Sequence, residues 1–375
     1  MDDMQYRISG YVIESNQPIP SFAAFETRAA AGERVLMLHW SPEPLEVDHA
    51  KPIANERGIA VSALSDGWLY AIPALPAFAM QADQAHTSLT VHIPEGAMNE
   101  ERLLQLLRTA LECRFAHEGQ VSLHSACVEL DGKAVCFTGP SVTGKSTRAQ
   151  RWVEDLGAEW LSGDRPGIRL TKEAVLACGM PWDGKEKIYR NAEVPLLAIC
   201  DIRRSETVRV RRLSPRQARQ VLMQQCFVPM WDPDAAAAVM MNVRRLIQRV
   251  PVYRLLCGPD EASAREAMDI LYNHPEKILK EEIDMKAKKD FVLRNIVDEY
   301  VVMPTGANIG KFDGAVVLNE VSAFLWEKLQ TPVSREELLA HLLAEYDVDE
   351  ATAARDLDNL LDTLRGYDML EDDMP

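Results

Sequence analysis

The sequence is short of basic side chains. Its 41 Lys and Arg against 57 Asp and Glu leave a formal net charge of −16. That balance disfavours nucleic acid or an anionic membrane as the main partner. No apolar run approaches the roughly 20 residues of a membrane-spanning helix. The first residues, MDDMQYRISGYVI, lack the basic-then-apolar layout of a secretory signal. Seven scattered cysteines (Cys113, Cys127, Cys136, Cys178, Cys200, Cys226 and Cys257) make no C-x-x-C pair, and their number is odd. They read as reduced thiols buried as small apolar residues. These absences together point to the cytoplasm, where ATP is available. There is no internal repeat and no low-complexity tract, and 375 residues imply two or three domains.

What is present is a glycine-rich loop. Gly139, Pro140, Ser141, Val142, Thr143, Gly144, Lys145 and Ser146 fit G-x-x-x-x-G-K-[ST] at every fixed position, and Thr147 follows. Val128 to Thr138 predicts two short strands around the turn Asp131-Gly132, and Thr147 to Leu156 predicts a helix. A strand feeding such a loop into a helix suits phosphate binding: backbone N–H groups curl around the oxygens and the helix N-terminus adds partial positive charge. Lys145 would reach the terminal phosphates of ATP, and Ser146 would place a hydroxyl on Mg²⁺.

Residues 1–97 carry short apolar runs broken by turn residues and predict a β-rich region. Asn99 predicts the cap of a helix with Leu103, Leu104, Leu107 and Leu111 at helical spacing, after which VSLHSACVEL predicts a strand. Beyond the loop helix, EWLSGDRPGIRL predicts a strand, a tight turn and a strand. Ser214-Pro215 and Asp232-Pro233 predict capped helices over 215–226 and 233–249. Val252–Leu256 predicts a strand, and Asp260 opens a further helix. Residues 276–289 are charged, lack an apolar stripe, and predict a helical or loose linker. Residues 286–375 then hold nine basic and nineteen acidic side chains, so −10 of the total charge, which supports a separate domain.

His124 precedes the loop by fifteen residues, and Asp164 follows Lys145 by nineteen, after Trp160-Leu161. SLHSACVELDGKAVCFTGPSVTGKST resembles the core of the HPr kinase/phosphorylase family over roughly residues 120–270. The resemblance implies an α/β P-loop kinase domain, HPr kinase/PEP carboxykinase-like, over 98–273, with the β-rich 1–97 in front. It implies transfer of the γ-phosphoryl group of ATP to a serine hydroxyl. Lys145, Asp164 and His124 would be catalytic, with Asp164 either accepting the proton or helping Ser146 hold Mg²⁺. Taken alone, Asp164 is also a good turn residue, and His124 a hydrogen-bonded core histidine. The sequence departs from the family at Gly163, where a second aspartate is usual, and at Thr147, where a glutamate is usual. The segment Gly179–Glu186 is either a second active-site loop or a structural turn with Trp182 packed inward. Seven arginines from Arg203 to Arg219 read as a solvated sheet face or subunit contact, or as a dock for acidic peptide or nucleotide phosphate.

The C-terminal residues predict strands at 291–296, 300–303 and 315–318, then helices at about 320–329, 335–345 and 350–365. Ser334 with Glu337 makes a capping box, and Leu357, Leu360, Leu361 and Leu364 an apolar stripe. FVLRNI, VVLNEVSAFLWEKL, EELLAHLLAEYDV and DLDNLLDTL resemble the PqqD family of precursor-recognition domains for ribosomally made, modified peptides. That resemblance implies a small α+β winged-helix domain over 290–375, joined by a linker at 274–289. A leader peptide would pair with the edge of Val316, Val317 and Leu318 and press apolar side chains against Leu357, Leu360, Leu361 and Leu364, part of which is ordinary core. Together the two resemblances imply a kinase for a serine or threonine of a precursor peptide. A nucleotide-gated adaptor for a partner maturation enzyme, and a carrier-protein serine kinase, are the other expectations. The resembled kinase family forms hexamers, which leaves a homo-oligomer open.

Overall fold

The structure, a computed structural model, describes residues 3–33, 35–43, 45, 51–94, 96–140, 143–182, 188–279, 285–297, 299–306 and 315–372. They divide into two compact units, 1–279 and 280–375.

The first unit opens with β1 (Met4–Ile8), β2 (Tyr11–Ser15), β3 (Val35–Ser41), β4 (Ala54–Glu56), β5 (Ile59–Ala63), β6 (Gly67–Ile72), β7 (Leu75–Asp83) and β8 (Ser88–His92). They form one sheet in the order β1-β2-β3-β8-β7-β6-β5-β4. Its buried face packs against α1 (Glu100–His117), whose cap Asn99 accepts a hydrogen bond from the Arg102 amide. Leu103, Leu107 and Leu111 are buried as expected, but Leu106 rather than Leu104 completes the buried stripe. A polar group lies inside this core: the Tyr70 hydroxyl is 2.6 Å from His86 Nε2, and Asp232 Oδ2 is 3.9 Å from His86 Nδ1.

The second sheet contains β9 (Gln120–Ser122), β10 (Ser125–Leu130), β11 (Lys133–Thr138), β12 (Glu159–Ser162), β13 (Gly167–Leu170), β14 (Val175–Cys178), β15 (Glu193–Arg204), β16 (Arg209–Arg212) and β17 (Val252–Cys257). β10 and β11 form the expected hairpin, with Asp131 and Gly132 both at positive φ in a two-residue turn. β11 runs parallel to β15, and β15 parallel to β17. The interleaved helices are α2 (Lys145–Leu156), α3 (Pro215–Gln225), α4 (Pro233–Arg249) and α5 (Glu261–Tyr272). One face of β11 and β15, with Cys136 and Ile199, packs with residues of α3 and α4. The other, with Phe137 and Cys200, packs with residues of α2 and α5. Burial of both faces suits parallel strands and explains their continuous apolar runs.

One expectation is corrected here. VSLHSACVEL is not one strand: the amides of Leu123 and His124 donate to Pro166 O and Gln225 O instead of a ladder, so the chain passes from β9 to β10. EWLSGDRPGIRL supplies its two expected strands, β12 and β13; β12 pairs with β10, while β13 pairs with β9 and β14. β14 and the 12-residue β15 have no counterpart among the expected elements.

The second unit contains β18 (Met285–Ala287), β19 (Phe291–Ile296), β20 (Glu299–Pro304), β21 (Val316–Leu318), α6 (Glu320–Lys328), α7 (Arg335–Glu345), α8 (Glu350–Gly366) and β22 (Leu370–Asp372). The three strands and three helices match the expected spans closely. β18, however, lies where a loose linker was expected. It pairs with β22, and Met285 and Ala287 are buried, so their alternation with Lys286 follows a strand period. Among the described residues no helix is long and apolar enough to cross a membrane.

Candidate active site

The C-terminal end of β11 is the natural place for a ligand, since loops that follow parallel strands open outward there. Gly139 and Gly144 both have positive φ, 138° and 99°, and Gly144 is the N-cap residue of α2. The Thr143 hydroxyl donates to Pro140 O at 2.8 Å. Lys145 Nζ donates to Gly139 O at 3.1 Å and to Pro140 O at 3.3 Å, so the ammonium lies over the loop it follows. Burial first, and then Arg165, push the Lys145 ammonium below its ordinary value, while Asp164 opposes the shift. Ser146 and Thr147 are exposed at the start of α2. Ser141 and Val142 lie outside the described residues.

On the β10 side of the loop, the structure brings His124 and Asp164 together, Nε2 to Oδ1 at 3.5 Å. Backbone contacts fix both. The His124 amide donates to Gln225 O, the Ser125 amide to Asp164 O, and the Thr138 hydroxyl to His124 O. Each side chain keeps close to three-tenths of its surface exposed, so the pair is both held and accessible. Burial, and next Lys145, lower the affinity of His124 for a proton, and Asp164 pulls the other way. Arg165 Nε stands 3.8 Å from Asp164 Oδ2.

On the β15 side lies a carboxylate that sequence reasoning missed. Asp201 is fully buried beside Gly139, with Arg203 Nη2 at 3.0 Å and Arg254 Nε at 3.6 Å. Burial raises its carboxyl above the usual range, and the two guanidiniums oppose that rise. An apolar run ending in an acid, Leu196 to Asp201, was the available signal. Beside the loop and the first turn of α2 lies a cavity of about 610 Å³. Thr143, Thr147, Arg148, Arg204, Ser205 and Gly258 are among its lining residues. Its volume is in the range of small-molecule pockets.

Trp182 is packed inward against Phe115 (ring centroids 6.3 Å apart). Asp183–Glu186, on which the second active-site loop turns, lie outside the described residues. The arginine run is not one solvated face: Arg203 pairs with Asp201 and Arg211 is buried, whereas Arg209 and Arg212 are exposed. Among the described residues no group of three or more His, Cys, Asp or Glu could hold a metal ion.

In the second unit, β21 is an edge strand, paired with β20 among the described residues. Val317 is 61% exposed, Val316 half-buried and Leu318 buried. Leu357, Leu360, Leu361 and Leu364 are all buried with Trp326 and Leu338 in the core of this unit. Helical spacing puts them on one face, and that face packs within the unit, as the ordinary-core part of the expectation has it.

Residues 299–370 match the family described as Coenzyme PQQ synthesis protein D (PqqD), so the chain ends in a PqqD domain. No curated protein matches the chain. Similar solved structures include TbiB1 in complex with the TbiA(beta) leader peptide, 28% identical over 24% of this chain and 99% of that one, with a TM-score of 0.21. A lasso peptide synthetase B1 complexed with the leader peptide is 19% identical over 24% of this chain and 98% of that one (TM-score 0.21). The Hpr(Ser) kinase/phosphatase from Coxiella burnetii is 11% identical over 42% of this chain and 97% of that one (TM-score 0.25).

Proposed function

We propose that the chain is an ATP-dependent kinase that phosphorylates a serine or threonine of a ribosomally made precursor peptide. The observation that carries the proposal is the juxtaposition at the end of β11: a glycine loop with Lys145 on one side, and the His124–Asp164 pair on the other. Phosphoryl transfer needs charge neutralisation and positioning more than covalent help from the protein, and these groups are of the right kind. Lys145 neutralises the terminal phosphates, the first turn of α2 faces them with free N–H groups, and the cavity beside Thr147 and Arg148 takes the nucleoside. Asp164 accepts the proton of the acceptor hydroxyl as that oxygen bonds to the γ-phosphorus and the bond to the β-phosphate oxygen breaks. His124 modulates Asp164. Mg²⁺ takes few protein ligands alongside phosphate and water oxygens, so the Ser146 hydroxyl with one carboxylate, Asp164, is a fitting donor set. Bound there, the ion would supply further charge neutralisation.

The PqqD domain gives the reaction its address. We read its strands and helices as a winged helix used for peptide, since its acidic surface disfavours DNA. The edge of Val316–Leu318, unpaired among the described residues, offers backbone hydrogen bonds to an extended leader. Tethering the leader raises the local concentration of the acceptor towards the millimolar range. ATP and newly made precursor are both found in the cytoplasm, where we place the protein.

Incubation of the full chain with ATP, Mg²⁺ and the precursor peptide encoded beside its gene tests the proposal by mass spectrometry. A gain of one phosphate on the peptide is expected. Leader binding without a mass gain, consistent with Gly163 standing where a second aspartate is usual, would make the protein an adaptor. Absence of leader binding would point to a carrier-protein kinase.

A further inference from the structure

Arg148 is out of place in α2. The helix buries Arg148, Ala149 and Trp152, so an arginine stands on the face that packs against the sheet. It is 3% exposed. Among the described residues it makes no ion pair, and its Nε and Nη1 are sealed from solvent without a hydrogen-bond partner. The acids around it do not compensate the charge. Asp260 is near enough to feel Arg148, but its carboxylate is committed to α5, accepting from the Ser263 amide and hydroxyl at 2.9 Å each. Glu206 is exposed and forms no ion pair among the described residues. The Cys257 thiol is held above its ordinary value by burial, against the pull of Arg148, and stays neutral. A buried cation without a partner is costly and calls for an anion.

Room for that anion is present. Arg148 lines the cavity of about 610 Å³ together with Gly144 and Thr147. No side chain caps α2 and no acid stands in its first turn, so this helix end also favours negative charge. Lys145 is elsewhere: it lies over Gly139 and Pro140 and is not among the residues that line the cavity. Two cations thus stand at two separate positions along the path from loop to cavity.

We propose that Arg148 binds the α-phosphate of the nucleotide, the phosphate next to the nucleoside in the cavity, while Lys145 and the loop hold the terminal two. This rests on the nucleotide-binding part of the reading above and not on phosphate transfer. The free protein then carries an unpaired buried charge that the nucleotide relieves.

The test is displacement of a fluorescent ATP analogue from the full chain, without Mg²⁺, by AMP, adenosine and pyrophosphate. AMP should bind about tenfold tighter than adenosine, the effect of a charge-assisted hydrogen bond. That preference should vanish in Arg148→Met and Arg148→Gln and persist in part in Arg148→Lys, while pyrophosphate affinity stays within about twofold. Arg148→Met should also keep a urea midpoint no lower than that of the parent protein, because an apolar side chain of similar length replaces an unpaired buried charge. A purely structural arginine would instead lose stability and leave the AMP preference intact. Equal affinities for AMP and adenosine in the parent protein, or a preference that survives Arg148→Met and Arg148→Gln, overturn the proposal. Pyrophosphate affinity falling as far as that for AMP would put Arg148 on the terminal phosphates and overturn it as well. Mass spectrometry of the peptide separates the two readings. A preference lost on substitution, without phosphate transfer by the parent protein, keeps this site and removes the kinase. Transfer with the preference intact in the variants keeps the kinase and removes this site.

Discussion

Gly139 lies directly against Asp201. A β-carbon built on that glycine would stand 3.3 Å from Asp201 Oδ1 and 3.2 Å from the Thr143 hydroxyl, at a backbone φ of +138°. The loop therefore rests on a buried carboxylate that is itself gripped by Arg203 and Arg254. Gly139→Ala meets both crowding and a left-handed backbone, which together cost on the order of 1–3 kcal/mol. We expect a fluorescent ATP analogue to bind the variant at least about tenfold more weakly. Urea unfolding should show the same loss of stability. Unchanged affinity would separate this loop from nucleotide binding.

Asp164→Asn removes the proton acceptor while keeping the shape. Phosphate transfer to the peptide should fall by roughly 10²–10⁴-fold. Affinity for the leader, and for the ATP analogue measured without Mg²⁺, should stay within about twofold, because neither is bonded to this carboxylate in the proposed scheme. Retained turnover would assign the proton to another group.

His86 makes stability depend on pH. Burial, its largest cause, lowers the imidazole from 6.5 to about 4. A depressed folded value means that the unfolded chain takes up the proton first. The stabilisation is thus complete above about pH 6.5 and drains away as pH falls towards 4, by up to roughly 3 kcal/mol. His86→Asn suits the positive φ of 54° at this position and has no proton to gain. Its urea midpoint should start lower at pH 7, through loss of the Tyr70 contact, and change less between pH 6.5 and 4.5. A parallel slope in the two proteins would exclude His86 as the cause.

The two apolar sets of the second unit should respond in opposite ways. Val317 is exposed on the edge strand, so Val317→Lys should weaken leader binding while stability stays within about 0.5 kcal/mol. Leu361 is 1% exposed, so Leu361→Ala should destabilise the unit by about 2–5 kcal/mol. Fluorescence anisotropy of a labelled leader and thermal unfolding of the full chain read the two effects. A stable Leu361→Ala variant with lost binding would return the α8 stripe to the peptide site.

Local chemistry was legible before any coordinates. Asn99, Ser214, Asp232, Asp260 and Ser334 each accept the amide hydrogen bond that a helix cap requires. The Asp131-Gly132 turn, the strand–loop–helix around Gly139–Ser146, and the order of elements in the PqqD domain follow from interactions among residues a few positions apart. For such features the sequence neighbours are also the spatial neighbours.

Other features needed the folded chain. Nothing local to Asp201 says that it will lie under Gly139; the parallel register of β11 and β15 puts it there. The place of Arg57 depends on how a turn of the first sheet is held against α1, through the Gln105 side chain donating to Arg57 O. The break at His124 depends on Pro166 and Gln225, which take up backbone hydrogen bonds across long sequence separations. Periodicity placed Leu357, Leu360, Leu361 and Leu364 on one face of α8, but only packing decided what covers that face. Sequence by itself settles conformations whose partners lie within a turn or two. Register, burial and the convergence of charge depend on contacts between distant segments, and only the tertiary structure supplies those.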